Sequence, residues 1–296
     1  MSPAVALVRT LRPHQWVKNA FVLAPLVFSK HLLDSSYVVR AALATLCFCA
    51  LSGAVYAFND VRDVDADRNH PTKKHRPIAA GALSERAALI ASVVLATAAL
   101  TGAALLSTNL ALVCGVYLVQ NLLYSLRLKQ VAFVDVMLIA GGFLLRVYAG
   151  AVAIDVPASP YLLWCTVLLA LFLGLGKRAH EMAWAQKAGR GGAATRAALA
   201  GYSPRLVRVS MGVLAVATSV AYVLYTQDSH TVQFFGTRQL VWSSPFAAIG
   251  IVRFMQLALW NPRADSPTEA MLRDVPFILN LLAWAGVIVW IVYSGR

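Results

Sequence analysis

The chain has 296 residues, of which 59% are hydrophobic and only 13% are charged, and its mean hydropathy is +0.66. This composition excludes an ordinary soluble globule, because too little polar surface is available to cover one. The formal net charge of +13 does not indicate nucleic-acid binding, since the cations lie in short segments between apolar runs and form no separate basic domain. The composition therefore predicts an integral membrane protein that contacts the lipid bilayer.

Nine apolar runs approach the roughly 17 to 25 residues that cross about 30 Å of hydrocarbon. Pro25 and Lys30 interrupt the first run and the eighth is marginal, so eight or ten spans are alternatives. The pattern predicts an all-α, polytopic protein with about nine transmembrane helices, in a single domain over residues 1–296. The predicted spans are 19–34, 37–59, 86–106, 109–126, 131–153, 160–176, 206–227, 241–260 and 275–294.

Lysine and arginine are divided unequally between alternate loops. One set of loops contains 20 of these cations, and these loops are 1–18, 60–86, 127–130, 177–208 and 261–274. The other set contains four, at Lys30, Arg40, Arg238 and Arg296. Because positively charged loops are retained in the cytoplasm, we predict a cytoplasmic N-terminus and a C-terminus outside. We expect the protein in the plasma (inner) membrane, with no cleavable signal peptide.

The segment YAFNDVRDVDADRNHPTKKHRPIAAG, at 56–81, contains four of the thirteen acidic residues. If it continues the second predicted helix, Asp60, Asp63 and Asp67 lie within about 60° of one another, whereas Asp65 points elsewhere. Three carboxylates on one face repel one another, and Mg²⁺ that bridges them to a diphosphate relieves the repulsion. The alternative is a solvated helix end whose aspartates pair with nearby cations. Those cations are Arg62, Arg68, Lys73 and Lys74.

Other side chains of this segment can bind a phosphate-bearing ligand. Asn59 adds a neutral amide that can hydrogen-bond a ligand oxygen without adding charge. Lys73, Lys74 and Arg76 offer donors for phosphate oxygens. The preference for positive loops in the cytoplasm explains the same three cations without any ligand.

The pattern Asn59-Asp60-x-x-Asp63-x-x-x-Asp67, followed by Arg76-Pro77 and Gly81, resembles the first aspartate-rich motif of the UbiA-type intramembrane prenyltransferases. In that family the motif binds the substrate diphosphate through Mg²⁺, inside a nine-helix bundle that opens to the cytoplasm. The resemblance therefore implies a UbiA-like bundle with a cytoplasm-facing site. It also implies that the motif's Asn and three Asp residues are catalytic, and that the three aspartates are the metal ligands.

The end of the sixth predicted span departs from that family. The family usually has a second aspartate cluster there, but this chain reads GLGKRAHEM, with Lys177 and Arg178 in place of carboxylates and Glu181 as the only acid. One acidic and one basic cluster suit a substrate with a diphosphate at one end and a phosphate elsewhere. This favours phosphoribosyl diphosphate over a prenyl diphosphate.

Four segments resemble the decaprenyl-phosphate phosphoribosyltransferase branch of the family. They are LRPHQWVKN at 11–19, NDVRDVDADRNHPTKKHRPIAAG at 59–81, YSLRLKQ at 124–130 and GKRAHE at 176–181. The resemblance implies transfer of 5-phosphoribose from phosphoribosyl diphosphate to a polyprenyl (decaprenyl) phosphate, in the pathway to the lipid-linked arabinose donor for cell-wall arabinan. An aromatic prenyltransferase of the same fold and a transporter are the alternatives. Prenyl length and oligomeric state stay open, with a homo-oligomer as one alternative.

Several residues outside the aspartate motif are candidate substrate contacts. Trp16 beside Lys18 is also typical of an interfacial anchor, and Glu181 four residues after Lys177 is also typical of a helical ion pair. An arginine at membrane depth, such as Arg146, is expected to face a cavity or a partner on another helix. The candidates are Arg12, Lys18, Tyr56, Arg62, Lys73, Lys74, Arg76, Tyr124, Lys129, Arg146, Lys177, Arg178 and Glu181.

Overall fold

The computed structural model describes residues 2–70, 72–187, 197–260 and 267–294. These ranges contain helices and no β-strand, which confirms the predicted all-α class. The α-helices are α1 (Pro3–Leu11), α2 (Ala24–Phe28), α3 (Ser35–Arg62), α4 (Val64–Arg68), α5 (Glu85–Leu106), α6 (Thr108–Leu126), α7 (Val134–Ala153), α8 (Pro160–Lys187), α9 (Pro204–Gln227), α10 (Ser229–Phe235), α11 (Ser244–Trp260), α12 (Pro267–Arg273) and α13 (Val275–Tyr293). Short 3₁₀ helices lie at Pro13–Leu23, Lys73–His75, Leu128–Gln130, Ala197–Gly201 and Gln239–Ser243.

Eight helices in the described part of the chain are long and apolar enough to cross a membrane. They are α3, α5, α6, α7, α8, α9, α11 together with the 3₁₀ turn before it, and α13. Large apolar side chains such as Leu105, Trp164, Val216 and Leu282 are more than half exposed on these helices. So much apolar surface is unfavourable in water, and we conclude that these helices span a membrane. The predicted count of nine spans is therefore approximate.

The first apolar run accounts for the difference between eight and nine. The sequence predicts one helix over 19–34, but the chain forms a 3₁₀ helix, Pro13–Leu23, followed by the five-residue helix α2. Pro25 lies in the first turn of α2, where its missing N–H costs nothing, and Lys30 has a positive φ of 64° after the helix has ended. The run is therefore broken where Pro25 and Lys30 interrupt it, and the alternative of eight spans fits the described helices.

The described contacts divide the chain into two compact units. The first unit, Met1–Lys129 with Gly142–Ala158, has a core in which Phe48 and Leu51 of α3 pack with Leu110 and Tyr117 of α6. In addition, the backbone of α7 at Gly150 lies close to the backbone at Val22: a Cβ atom at Gly150 would be only 2.0 Å from the Val22 carbonyl oxygen. The first unit therefore holds its broken first run against α7.

The second unit comprises Gln130–Gly141 and Ser159–Arg296. Its core joins α8, α9 and α11 through Phe172, Met211, Ile251 and Phe254. Gly176 leaves room for an aromatic ring, since a Cβ there would lie 2.5 Å from Cε1 of Phe254. This packing fixes the end of α8, where the sequence carries its basic segment.

Candidate active site

The aspartate motif lies at a break between two helices. α3 ends at Arg62, Asp63 has φ −98° and ψ 5°, and α4 begins at Val64. The backbone still bonds across the break, with Asp63 N donating to Asn59 O at 3.0 Å and Asp67 N donating to Asp63 O at 2.8 Å. The prediction of one uninterrupted helix through Asp67 was therefore wrong, because Asp63 leaves the helical region of ψ.

Asp60 and Asp67 lie buried on either side of one guanidinium. Nη1 of Arg76 donates to Asp60 Oδ1 at 3.1 Å and to Asp67 Oδ2 at 2.7 Å. Nη2 of Arg12 reaches the same Asp60 oxygen at 2.5 Å. Both carboxylates are almost inaccessible, at 2% and 3% exposure, so these contacts are needed to offset the cost of burying their charges.

Asp63 has a different set of partners. Lys129 Nζ donates to Asp63 Oδ1 at 2.5 Å and to Asn59 Oδ1 at 3.2 Å, and Asn59 Nδ2 donates to Asp63 Oδ2 at 3.1 Å. Asn59, Asp63 and Lys129 therefore form a closed triangle of polar contacts. We call Asp60, Asp63 and Asp67 the carboxylate cluster; its three carboxylates face three cations, Arg12, Arg76 and Lys129.

The sequence identified the carboxylates but not which cations pair with them. Asp65 is exposed and pairs with Arg68 at 3.1 Å, so it lies outside the cluster, as the helical spacing predicted. Lys73 and Lys74 are exposed in the Lys73–His75 turn, and Arg62 is exposed at the end of α3. No described contact brings Arg62 or Lys74 to the three carboxylates.

The chemistry of the carboxylate cluster fits a divalent cation in part. Asp60 and Asp67 offer hard oxygen donors, and both approach a single positively charged nitrogen. Among the described residues, however, no group of three His, Cys, Asp or Glu side chains is arranged to hold a metal. Asp60 and Asp67 therefore share Arg76 as a partner, whereas Asp63 pairs with Lys129.

Arg146 lies inside the first unit with neutral partners. It is 6% exposed, and its Nε, Nη1 and Nη2 donate to Asn19 Oδ1 at 2.8 Å, Gly142 O at 2.9 Å and Tyr117 OH at 2.7 Å. Its guanidinium carbon is also 4.9 Å from the centre of the Tyr117 ring. The sequence predicted a partner on another helix but missed Asn19 and Tyr117, since neither is near Arg146 in the chain.

Tyr56 lies above the carboxylate cluster on α3, with the Arg12 guanidinium carbon 5.1 Å from its ring centre. Lys18 and Tyr124 are half-buried, in the first 3₁₀ helix and in α6. Of the candidate substrate contacts, the structure thus brings Arg12, Arg76 and Lys129 directly to the carboxylates. Tyr56 is held beside them through Arg12.

A second charged cluster lies inside the second unit. Arg178 is 0% exposed, its Nε is 3.2 Å from Asp135 Oδ2, and its Nη1 donates to Glu181. Tyr202 OH donates to Asp135 Oδ1 at 2.6 Å, and burial raises the pKa of Tyr202 above its usual value. We call Asp135, Arg178, Glu181 and Tyr202 the Arg178 cluster.

Two donor nitrogens of Arg178, Nε and Nη2, have no hydrogen-bond partner within the described chain, although Nε lies in ion-pair contact with Asp135. Nη2 of Arg178 is buried and has no hydrogen-bond partner there. Glu181 pairs with Arg178, three residues before it, although the sequence raised Lys177 as its partner. Asp135 was not predicted as a site residue, because its partner lies 43 positions further along the chain. An acid at the start of a membrane span was the signal that could have identified it.

The family match, the related sequences and the similar solved structures all point to the same protein family. The sequence pattern described as the UbiA prenyltransferase family matches residues 20–282. The chain is 37% identical over 288 residues to a protein of Mycobacterium tuberculosis named decaprenyl-phosphate phosphoribosyltransferase, covering 95% of this chain and 92% of that one. A protein of the same name from Mycolicibacterium smegmatis is 35% identical, with 95% and 91% covered. The solved structure of a UbiA homolog from Archaeoglobus fulgidus bound to GPP and Mg²⁺ superposes with a TM-score of 0.68, at 19% identity, over 98% of each chain.

Proposed function

Because the chain belongs to the UbiA prenyltransferase family, we propose that it transfers the 5-phosphoribosyl group of phosphoribosyl diphosphate to a polyprenyl phosphate. The relatives that carry the name decaprenyl-phosphate phosphoribosyltransferase align with 95% of the chain, which supports a decaprenyl acceptor. The product would then serve the pathway to the lipid-linked arabinose donor for cell-wall arabinan. The single domain over residues 1–296 stays a prediction.

The proposed reaction requires little covalent chemistry from the protein. An oxygen of the lipid phosphate forms a bond to C1 of the ribose, and the bond from C1 to the diphosphate oxygen breaks, so that diphosphate leaves with the electron pair. The lipid phosphate is already anionic near neutral pH, and therefore no general base is needed. Positioning and charge stabilisation supply the rate enhancement.

The observation that supports this reaction most is the buried carboxylate cluster with its cations. We propose Asp60, Asp63 and Asp67 as the residues that hold Mg²⁺, which when bound supplies positive charge to the leaving diphosphate. Arg12, Arg76 and Lys129 bind diphosphate oxygens, because their charged groups are held in place by the same carboxylates. Asn59 orients Asp63 and Lys129.

In the second unit, we propose Lys177 and Arg178 as phosphate-binding residues. The support is the buried Nη2 of Arg178, which has no hydrogen-bond partner among the described residues, because an unpaired buried donor is costly unless a ligand accepts from it. Glu181 and Asp135 orient the guanidinium.

A transfer assay tests the proposal. Purified protein is incubated with Mg²⁺, phosphoribosyl diphosphate labelled in the ribose and decaprenyl phosphate, and the label in the lipid fraction is measured. We expect label in the lipid with wild type and with Asp65→Asn, whose carboxylate lies outside the cluster. No labelled lipid, together with prenylation of an aromatic acceptor by a prenyl diphosphate, would overturn the proposal in favour of the aromatic prenyltransferase.

We further propose a plasma-membrane protein whose N-terminus and carboxylate cluster are cytoplasmic. At about 2.0 Å per residue for a 3₁₀ helix and 1.5 Å for an α-helix, residues 13–28 would extend about 30 Å if collinear, which is long enough to cross. A reporter at the N-terminus decides this: with residue 190 cytoplasmic, crossing by residues 13–28 places the N-terminus in the cytoplasm as well. An N-terminus outside, with residue 190 cytoplasmic, would show that residues 13–28 do not cross.

A further inference from the structure

A groove on the surface of the first unit lies where two spanning helices end. It has a volume of about 460 Å³, and its lining residues are Arg62, Leu123, Leu126, Arg127 and Leu128. Arg62 is the last residue of α3, and Arg127 follows the last residue of α6. Leu123 and Leu126 are three residues apart on α6 and thus share a face, where they are 49% and 44% exposed. We call this surface the arginine groove.

The two arginines of the groove differ from those of the carboxylate cluster. The side chains of Arg12 and Arg76 bind carboxylates, whereas the side chains of Arg62 and Arg127 are exposed and form no hydrogen bond or ion pair with any other described residue. Among the described residues, no acidic side chain lines the groove. Its two positive charges are therefore left for an anion from outside the described chain.

The leucines define what kind of anion fits. They lie at the end of a helix that is long and apolar enough to span the membrane, where acyl chains meet headgroups. A lipid that places its first methylenes against Leu123 and Leu126 brings its phosphate to the level of the two arginines. The described lining residues include neither a carboxylate nor an aromatic ring, the two groups that bind a choline cation. An anionic headgroup therefore fits better than a zwitterionic one.

We propose that the arginine groove binds the headgroup of an anionic phospholipid, separately from the lipid that reacts. Arg62 has no described contact with the carboxylate cluster, so a phosphate bound there is not placed at the proposed reaction centre. The groove is nevertheless linked to the cluster through the chain. Arg62 precedes Asp63, and Arg127 lies two residues before Lys129, and Asp63 and Lys129 form an ion pair. A bound headgroup holds together the two segments that supply this pair.

Lipid binding to the purified protein tests the proposal directly. Native mass spectrometry of the detergent-solubilised protein measures binding of phosphatidylglycerol, phosphatidylcholine and decaprenyl phosphate. Each arginine near an anionic headgroup contributes about fivefold in affinity, so the double variant Arg62→Gln/Arg127→Gln should bind phosphatidylglycerol roughly 30-fold more weakly. Binding of phosphatidylcholine should be weak in both proteins and should not change.

The matched control removes the same charge from the second unit. Arg205 and Arg208 are exposed near the start of α9 and have no partner among the described residues, so Arg205→Gln/Arg208→Gln should keep wild-type affinity for phosphatidylglycerol. Equal loss in both double variants, or equal affinity of the wild type for the two phospholipids, would overturn the proposal. So would arginine-dependent binding of decaprenyl phosphate alone, which would make the groove a substrate site.

A second variant keeps the test decisive if the glutamine pair fails to fold. Arg62→Lys/Arg127→Lys retains both charges, and it should still prefer phosphatidylglycerol to phosphatidylcholine by at least about tenfold. Loss of that preference in the folded lysine variant would show that charge in the groove does not select the lipid.

Discussion

The carboxylate cluster and the Arg178 cluster differ in which charge is buried and which partners neutralise it. In the first, the buried Asp60 and Asp67 pair with cations that stay partly exposed, with Arg12 at 21% and Arg76 at 26%. In the second, a guanidinium with 0% exposure lies between two carboxylates, one of them also fully buried. Partly exposed cations can exchange a carboxylate for a ligand, whereas the Arg178 guanidinium is held by its carboxylates and offers a ligand only its unpaired Nη2. The two clusters should therefore respond differently to substitution.

The largest expected effect is on the stability of the second unit. Arg178→Ala leaves Asp135 buried without its cation, and breaking a buried pair in this way costs about 3 to 5 kcal/mol. Arg12→Ala should cost much less, because Asp60 keeps Arg76. Unfolding of the detergent-solubilised variants measures both free energies. Equal losses in the two variants would remove the contrast between the clusters.

The second effect is on turnover in the first unit. Asp60→Asn removes a proposed metal ligand and should lower kcat about 100-fold or more, equivalent to about 2.7 kcal/mol, and abolish the response to Mg²⁺. Asp65→Asn should stay within about twofold, because Asp65 pairs with Arg68 outside the cluster. Initial rates across a Mg²⁺ titration measure this. A comparable loss in both variants would mean that the charge of the segment matters rather than the cluster.

The sequence predicted the parts of the fold that depend on local pattern. Apolar runs of spanning length predicted an all-α protein, and i, i+3 and i+7 spacing separated Asp65 from the other three aspartates. It did not predict the break at Asp63, because a change of ψ at a single residue has no signature in hydrophobic periodicity. The sequence also counted the broken first run among the nine spans, although Pro25 marked the interruption.

Long-range partners could not be predicted from spacing. Arg12 and Asp60 are 48 residues apart, and Lys129 and Asp63 are 66 apart. Helical periodicity identifies neighbours three or four positions away and gives no information on which helices pack together. The tertiary arrangement decides these pairs, and so the cations that neutralise the cluster differ from those nearest to it in the chain.

The third effect concerns the phenol of the Arg178 cluster. Tyr202→Phe removes the hydrogen bond to Asp135 Oδ1 and the one that Phe133 N donates to the phenol oxygen. It should lower the free energy of unfolding by about 1 to 3 kcal/mol, since the Asp135 oxygen keeps only Val136 N as a donor and Phe133 N loses its acceptor. Tyr148→Phe, at an exposed position with no described hydrogen bond, is the matched control and should be near neutral. A loss no larger than that of the control would show that the phenol does not support Asp135.

The pH dependence gives an independent measure of the same phenol. Burial raises the pKa of Tyr202 in the folded state, so the folded protein holds this proton more tightly than the unfolded chain. The resulting stability is fully present below the unfolded pKa of about 10 and is lost as the pH rises through the folded pKa. Wild type should therefore lose more stability above pH 10 than Tyr202→Phe. Parallel curves for the two proteins would contradict this.

The smallest expected effect concerns an ion pair outside both clusters. It shows how much stability a partly exposed pair contributes, for comparison with the buried pairs. Nη2 of Arg253 donates to Asp274 Oδ2 at 2.7 Å, and Asp274 Oδ1 also accepts from Phe277 N at 2.8 Å as the N-cap of α13. The Arg253 side chain is 36% exposed, so we expect Asp274→Asn to cost at most about 1 kcal/mol, since asparagine keeps the cap and loses only the ion pair. Asp274→Ala should cost about 1 kcal/mol more.

Acid titration separates the ion pair from the cap. The hydrogen bond from Arg253 lowers the pKa of Asp274, so this stability is present above the unfolded pKa of about 3.9 and is lost as the pH falls through the lower folded value. The difference in unfolding free energy between wild type and Asp274→Asn should therefore shrink as the pH falls below about 4. A difference that stays constant from pH 7 to the most acidic folded condition would show that the charge of Asp274 contributes nothing. The partly exposed Arg253–Asp274 pair would then contribute even less stability, relative to the buried Arg178–Asp135 pair, than we expect.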